Sequence, residues 1–119
     1  MCNSGCSVTA LYIKRQTTWD RLSLKFPYDI TGYTAEIDFK DYATGTIIKR
    51  ITSAGVFPNS RIDVDLSINT IYPVVSADDS ELFLLDKLYV FDVALVNGAD
   101  VKRTRSFELY ATDTVTDAT

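Results

Sequence analysis

The run Leu88-Tyr-Val-Phe-Asp-Val-Ala-Leu-Val96 is apolar on nearly both of its alternating faces. Asn97-Gly98 follows it, and Val101 to Leu109 forms a second β-rich run behind that turn. Asn-Gly suits a two-residue hairpin turn because both residues tolerate positive φ, which matches the twist of paired strands. A strand that is greasy on both sides has to be covered on both sides. The stretch therefore predicts the central strand of a layered β fold, one side on the domain's own core and the other on something else.

Alternation with period two recurs along the chain, the mark of half-buried strands. Ser7 to Lys14 opens with the β-rich run Val-Thr-Ala-Leu-Tyr-Ile. Leu22, Leu24 and Phe26 alternate with Ser23 and Lys25. Tyr33, Ala35, Ile37 and Phe39 point one way; Thr34, Glu36, Asp38 and Lys40 point the other. Ile47 to Ile51 follows a loop in which Gly45 suits the left-handed position of a short hairpin. Ile62, Val64 and Leu66 alternate with Asp63, Asp65 and Ser67. With the final hairpin this predicts an all-β, immunoglobulin-like antiparallel β-sandwich of seven to eight strands.

One segment breaks the pattern. Pro73 is expected to end any regular run between Ile68 and Leu85. Ser76-Ala-Asp-Asp then reads as a helix start: Ser76 caps free N–H groups, and Asp78, Asp79 and Glu81 favour the positive end of the dipole. A short helical turn near 76–84 is expected, with Leu82, Leu84 and Leu85 tucked under the sheets. The chain divides into an N-terminal arm over 1–6, one sandwich domain over 7–116 and a polar tail over 117–119. Val115 could finish an edge strand.

The totals narrow the function classes. A chain of 119 residues supports one core. A net charge of −4 argues against binding nucleic acid or anionic membrane through bulk electrostatics. No apolar run approaches a membrane span, and Met-Cys-Asn-Ser-Gly-Cys lacks the features of a secretory signal. Cys2 and Cys6 supply half of a tetrahedral zinc site at best, shared across an oligomer, or a small disulfide loop in an oxidising setting. The plain alternative is two cysteines in an arm before the first strand.

Catalytic readings find little support. The chain has no histidine, which removes triads with an imidazole base. The pairs Asp63/Asp65 and Glu36/Asp38 share strand faces, but nothing sets them across a cleft, and no calcium-loop spacing occurs. Solvated strand faces account for them. The basic cluster Lys102, Arg103 and Arg105 could meet an acidic partner or cap a solvated hairpin end. No enzyme activity, cofactor or metal is expected, and a small-molecule ligand is not expected either.

Aromatics are the stronger lead: seven tyrosines, six phenylalanines and one tryptophan in a small chain. Trp19, Tyr28, Tyr42, Phe57 and Tyr72 fall outside clean core positions. Such rings serve as interface anchors, as sugar-stacking platforms, or as plugs at the ends of a sandwich.

The order of motifs carries a resemblance. Trp19 before Leu22-Ser-Leu-Lys-Phe26, then Asp29-Ile-Thr-Gly-Tyr33 leading into Glu36-Ile-Asp-Phe-Lys40, resembles the first half of small tailed-phage virion domains. Arg61-Ile-Asp-Val-Asp-Leu-Ser67, Ser76-Ala-Asp-Asp-Ser-Glu-Leu82, Leu88-Tyr-Val-Phe-Asp-Val-Ala-Leu95, Gly98 and Thr114-Val-Thr116 resemble the second half. The N-terminal domain of the siphophage upper baseplate protein is the family most similar. The likeness covers Thr17 to Thr116. It departs where Asp86-Lys87 stands in place of a frequent glycine, where Ile68 to Val75 looks inserted, and in the cysteine arm. The resemblance implies a non-enzymatic structural or adaptor protein of a phage virion, in tail, baseplate, neck or capsid surface. It would assemble in the host cytoplasm, as a homo-oligomer docked on other virion proteins. A carbohydrate-binding module reading host-surface glycans is the alternative.

Overall fold

The computed structural model describes residues 10–112. Cys2, Cys6, Val115 and the Thr114-Val-Thr116 exit motif, with the arm and tail expected at the termini, lie outside the described residues. Ten strands form two sheets: β1 (Ala10–Lys14), β2 (Leu24–Lys25), β3 (Thr34–Asp41), β4 (Ile47–Thr52), β5 (Arg61–Asp65), β6 (Thr70–Val74), β7 (Leu88–Phe91), β8 (Val93–Asn97), β9 (Asp100–Arg103) and β10 (Phe107–Thr112). One helical turn, α1 (Ala77–Ser80), precedes β7.

The larger sheet has seven strands and the smaller, in the order β2-β6-β5, has three. Strand β3 lies between β4 and the β7–β8 run, whose far side carries β10 and β9. Strand β1 closes the edge by pairing in parallel with β10. All other pairs are antiparallel. This is the strand arrangement of an immunoglobulin-like sandwich. Tyr89 adds the matching corner: near the start of the penultimate long strand, its hydroxyl accepts from the Leu84 N–H at 2.7 Å.

The expected hairpin is present and is more finely cut than its sequence reads. Against β3 the register of β7 and β8 is unbroken, from Asp41↔Tyr89 to Thr34↔Val96. On the return strand it slips by one: Ala94 pairs Arg103, but Phe91 pairs Phe107. One extra residue between Arg103 and Phe107 therefore flips the face. Val101 and Arg103 point away from the core, whereas Phe107 and Leu109 are buried in it. Thr104 stitches this bulge to Val93: its N–H donates to Val93 O (3.0 Å), and its Oγ1 accepts from Val93 N–H (3.0 Å). The turn is also displaced by one residue. Asn97 pairs Asp100, so the two-residue loop is Gly98-Ala99, with Gly98 at φ +60 and Asn97 outside the positive region. Glycine at the first central position alone is the II′ pattern.

Strand β6 corrects the expectation that Pro73 ends regular structure between Ile68 and Leu85. It is the middle strand of the smaller sheet, pairing Arg61↔Val74 through Asp65↔Thr70 on one side. On the other side β2 reaches only Thr70 and Ile71. Pro73 thus sits where β6 has outrun β2 and has a strand neighbour on one side only, which is where a missing donor is tolerated. A 3-10 turn over Leu66–Ile68 links β5 to β6, capped by Asp65 and ended by Asn69 at φ +51.

The core fills the space between the sheets. Phe39 meets Trp19, Phe83 and Phe91 at centroid distances of 6.3, 5.3 and 4.9 Å. Phe83 meets Tyr89 edge-on, and Phe91 stacks on Phe107. Edge-to-face and offset arrangements favour the ring quadrupoles beyond simple burial. Toward the Thr34 end of β3 the core is mainly aliphatic, with Ile30, Ile37, Ile71 and Leu95 buried beside the single ring of Phe26.

Candidate interaction surface

Strand β3 runs from Thr34 at one end of the sandwich to Asp41 at the other, and a group of exposed apolar side chains lies at each of these ends. At the Thr34 end lie the β2–β3 connection, the 3-10 turn and the Gly98-Ala99 loop. Polar ties hold them. Asn69 accepts from Phe26 N–H through its carbonyl (2.8 Å) and from Ile30 N–H through Oδ1 (3.3 Å). The Tyr33 hydroxyl donates to Asp100, which holds the phenol above its ordinary pKa. Lys102 Nζ sits 5.5 Å from the centroid of the Tyr28 ring. Leu66, Ile68 and Val101 are exposed there.

The opposite end carries the β3–β4 turn and the segment from α1 to β7. Ser76 caps α1 by accepting from Asp79 N–H (3.2 Å), as its sequence predicts. Ser80 is fully buried, accepting from Gln16 N–H (2.8 Å) and donating to Ala77 O (2.6 Å). Gly45, at φ +75, closes the β3–β4 turn by donating to Asp41 O (2.7 Å). Asp41 is buried except for the ammonium of Lys87 at 2.7 Å. That hydrogen bond holds its carboxyl below the usual range and raises Lys87 in turn.

The three leucines after α1 are a correction. Leu82, Leu84 and Leu85 do not tuck beneath the sheets; all three are exposed, and Phe83 is the residue driven fully inside. A four-residue helix cannot present an i, i+3, i+4 stripe. The chain beyond it runs in successive turns, Leu82 N–H to Asp79 O and Phe83 N–H to Ser80 O, so a single ring points inward. Tyr42 and Ile47 are exposed at the same end, and Tyr42 N–H is tied to Leu88 O at 3.0 Å.

The five rings singled out from sequence do not share a face. Trp19 is 4% exposed and is a core residue, bridging to Val75 and packed edge-on against Phe39 and Phe91. Its expected role as an outer contact is replaced by one inside the domain. Tyr28 lies at the Thr34 end and Tyr42 at the Asp41 end. Phe57, in the β4–β5 connection, is 74% exposed with the Arg61 guanidinium 5.2 Å from its centroid. Tyr72 is half-buried on β6, paired across from Asp63. Sequence reasoning missed Leu82, Leu84, Leu85 and Ile47. The available signal was four apolar residues in a row, Leu82 to Leu85, on a segment too short to bury more than one.

The charged candidates have internal partners. Arg50 grips Asp38 with two bonds of 2.6 and 2.9 Å, which holds that carboxyl low. Arg61 reaches Asp63 at 2.9 Å, and Asp65 accepts from Ser67 N–H at 3.0 Å. Burial pushes the Asp79 carboxyl up, but hydrogen bonds from Ser60 and Lys49 outweigh it and leave the group low. Of the basic cluster, Lys102 lies over Tyr28, Arg103 faces Asp92 at 3.7 Å, and Arg105 lies over Phe107. Among the described residues no three His, Cys, Asp or Glu side chains converge on a metal position, and no helix is long and apolar enough to cross a membrane.

No protein-family model matches the chain, and no curated protein matches it.

Proposed function

We propose that this protein is a non-enzymatic building block of a phage virion, an adaptor that assembles in several copies and docks other particle proteins. One observation carries the reading. Tyr42, Ile47, Leu82, Leu84 and Leu85 stand uncovered at the end of the sandwich whose aromatic core is already complete. Single exposed apolar residues are ordinary; five gathered at one end suit a surface that another protein covers. The order of sequence motifs resembling tailed-phage virion domains supplies the particle context, and the immunoglobulin-like sandwich is the fold that resemblance implies.

The test is mass in solution. The protein should run as an oligomer in size-exclusion chromatography with light scattering. Leu82→Asp combined with Leu84→Asp should give a monomer with unchanged circular dichroism. Stable contacts bury about 1,200–2,000 Å² in total, so two charges at the centre of such a patch suffice to break it. A wild-type monomer with no affinity for any particle component overturns the reading.

A further inference from the structure

We propose that the groove beside β1 is a binding site for a saccharide bearing an acidic group. The groove has a volume of about 430 Å³ and lies where the chain leaves β1 and crosses to the smaller sheet. That volume is within the usual range for small-molecule sites, about 300–1,000 Å³. The site uses different side chains from the assembly reading, although the two are neighbours: Gln16 N–H bonds to Ser80 and Leu85 bridges to Ala111, next to Thr112 of the groove.

Three features fit one ligand class. Tyr12 lines the groove, is 60% exposed and stacks on Tyr110 at 5.9 Å, so one face of a rigid ring is braced and the other is open. An open aromatic face beside polar groups matches the apolar C–H face of a pyranose. Thr17, Thr18, Thr112 and Asp20, which carry hydroxyl and carboxylate groups, also line the groove. These are groups that exchange hydrogen bonds with sugar hydroxyls. Lys14 and Arg21 line the same groove. Two cations against one carboxylate make it locally positive on a chain of net charge −4. A carboxylate or phosphate on the sugar meets those cations as a charge-assisted partner. Thr17 is fixed for this role, its hydroxyl donating to Lys14 O at 2.7 Å.

The groove contains its own reporter. Trp19 is the sole tryptophan of the chain and one of the residues lining the groove, with its indole packed into the core next to it. Titration with a galacturonate trimer should change Trp19 emission saturably and shift the NMR signals of its indole N–H and of the Thr17 and Thr18 amides. The uncharged galactose trimer should bind more weakly. Tyr12→Ala should weaken the galacturonate trimer about tenfold or more, as the loss of a stacking anchor does. Lys14→Gln with Arg21→Gln should erase the preference over the uncharged trimer. Both variants sit at exposed positions, so circular dichroism should be unchanged. The proposal is overturned if neither trimer shifts these signals, or if Tyr12→Ala binds like the wild type. It is equally overturned if both trimers bind alike, or if inorganic phosphate alone reproduces the full response, which marks a plain anion site.

Discussion

At the Asp41 end of the sandwich the interior is a cluster of rings. Phe39 touches three others, Tyr89 anchors the corner, and Ser80 and Asp41 are buried polar groups with partners. At the Thr34 end the interior is mainly aliphatic around the one ring of Phe26, and the loops are joined by surface ties such as Tyr33 to Asp100 and Lys102 over Tyr28. The difference teaches where rigidity is placed. A segment with one inward anchor, Phe83, stays fixed while the leucines beside it face outward. The end that exposes Tyr42, Ile47 and the three leucines is therefore also the end that packs the larger ring cluster beneath them. Preordered surface costs less to bind with than surface that has to order first.

Removing the hub is the strongest way to break that comparison. Phe39→Ala should lower unfolding stability by about 3–5 kcal/mol, the range for deleting a buried ring. Phe39 supports Trp19, Phe83 and Phe91 together. Chemical denaturation followed by Trp19 fluorescence measures it. A loss under about 1 kcal/mol would mean that the rings do not act as one cluster.

The Tyr89 hydroxyl comes next. In Tyr89→Phe the Leu84 N–H loses its acceptor, for a cost of about 1–3 kcal/mol if no water replaces it. Amide hydrogen exchange at Leu84 should rise with little change at Asn97 to Asp100. Equal loosening at both ends would show that the corner is not a local device.

Asp41 sharpens the comparison through pH. Its folded-state pKa lies below the unfolded one, chiefly because Lys87 donates to it. Its contribution is therefore present above the ordinary carboxylate pKa of about 3.9 and is lost as pH falls through the folded value. Lys87, raised by the same contact, contributes below its unfolded pKa and loses that as pH rises through the folded one. Asp41→Asn should flatten the acid limb of the stability profile below about pH 4. Asp38 and Asp79, also lowered, preserve part of that limb. An unchanged acid limb in Asp41→Asn would remove this pair from the account.

Most of the fold was legible in the alternation of β3, β4, β5 and the last hairpin, because a half-buried strand writes its two faces into the sequence. The β6 strand was not legible. Its Thr-Ile-Tyr-Pro-Val run is tolerated only because β2 is short, and a partner's length is tertiary information. The Thr104 bulge was hidden for the same reason: Val101, Arg103, Arg105 and Phe107 look like one face until an extra residue flips it. For the surface, Tyr28, Tyr42 and Phe57 were found exposed, whereas Trp19 was not, since an aromatic outside an alternating run can still bridge the sheets. Helical spacing puts the leucines inside, but the helix ends after Ser80 and they face outward.

The smallest expected effect probes the Thr34 end. Lys102 shares the inward register of Leu95, yet its ammonium emerges over Tyr28, with Asp100 at 3.7 Å. At an exposed site a cation over a ring is worth about 0.5–1 kcal/mol, and the Asp100 contact adds little in water. Lys102→Met keeps most of the aliphatic stem on the ring and removes only the charge. It should therefore cost no more than about 1 kcal/mol. The NMR signals of Tyr28 and of the Gly98-Ala99 loop should shift, with those of Phe83 and Tyr89 unmoved. A loss as large as that of Tyr89→Phe would mean that the loop end depends on this one contact. The contrast between a ring-packed end and a surface-tied end would then fail, because both would hang on single buried anchors.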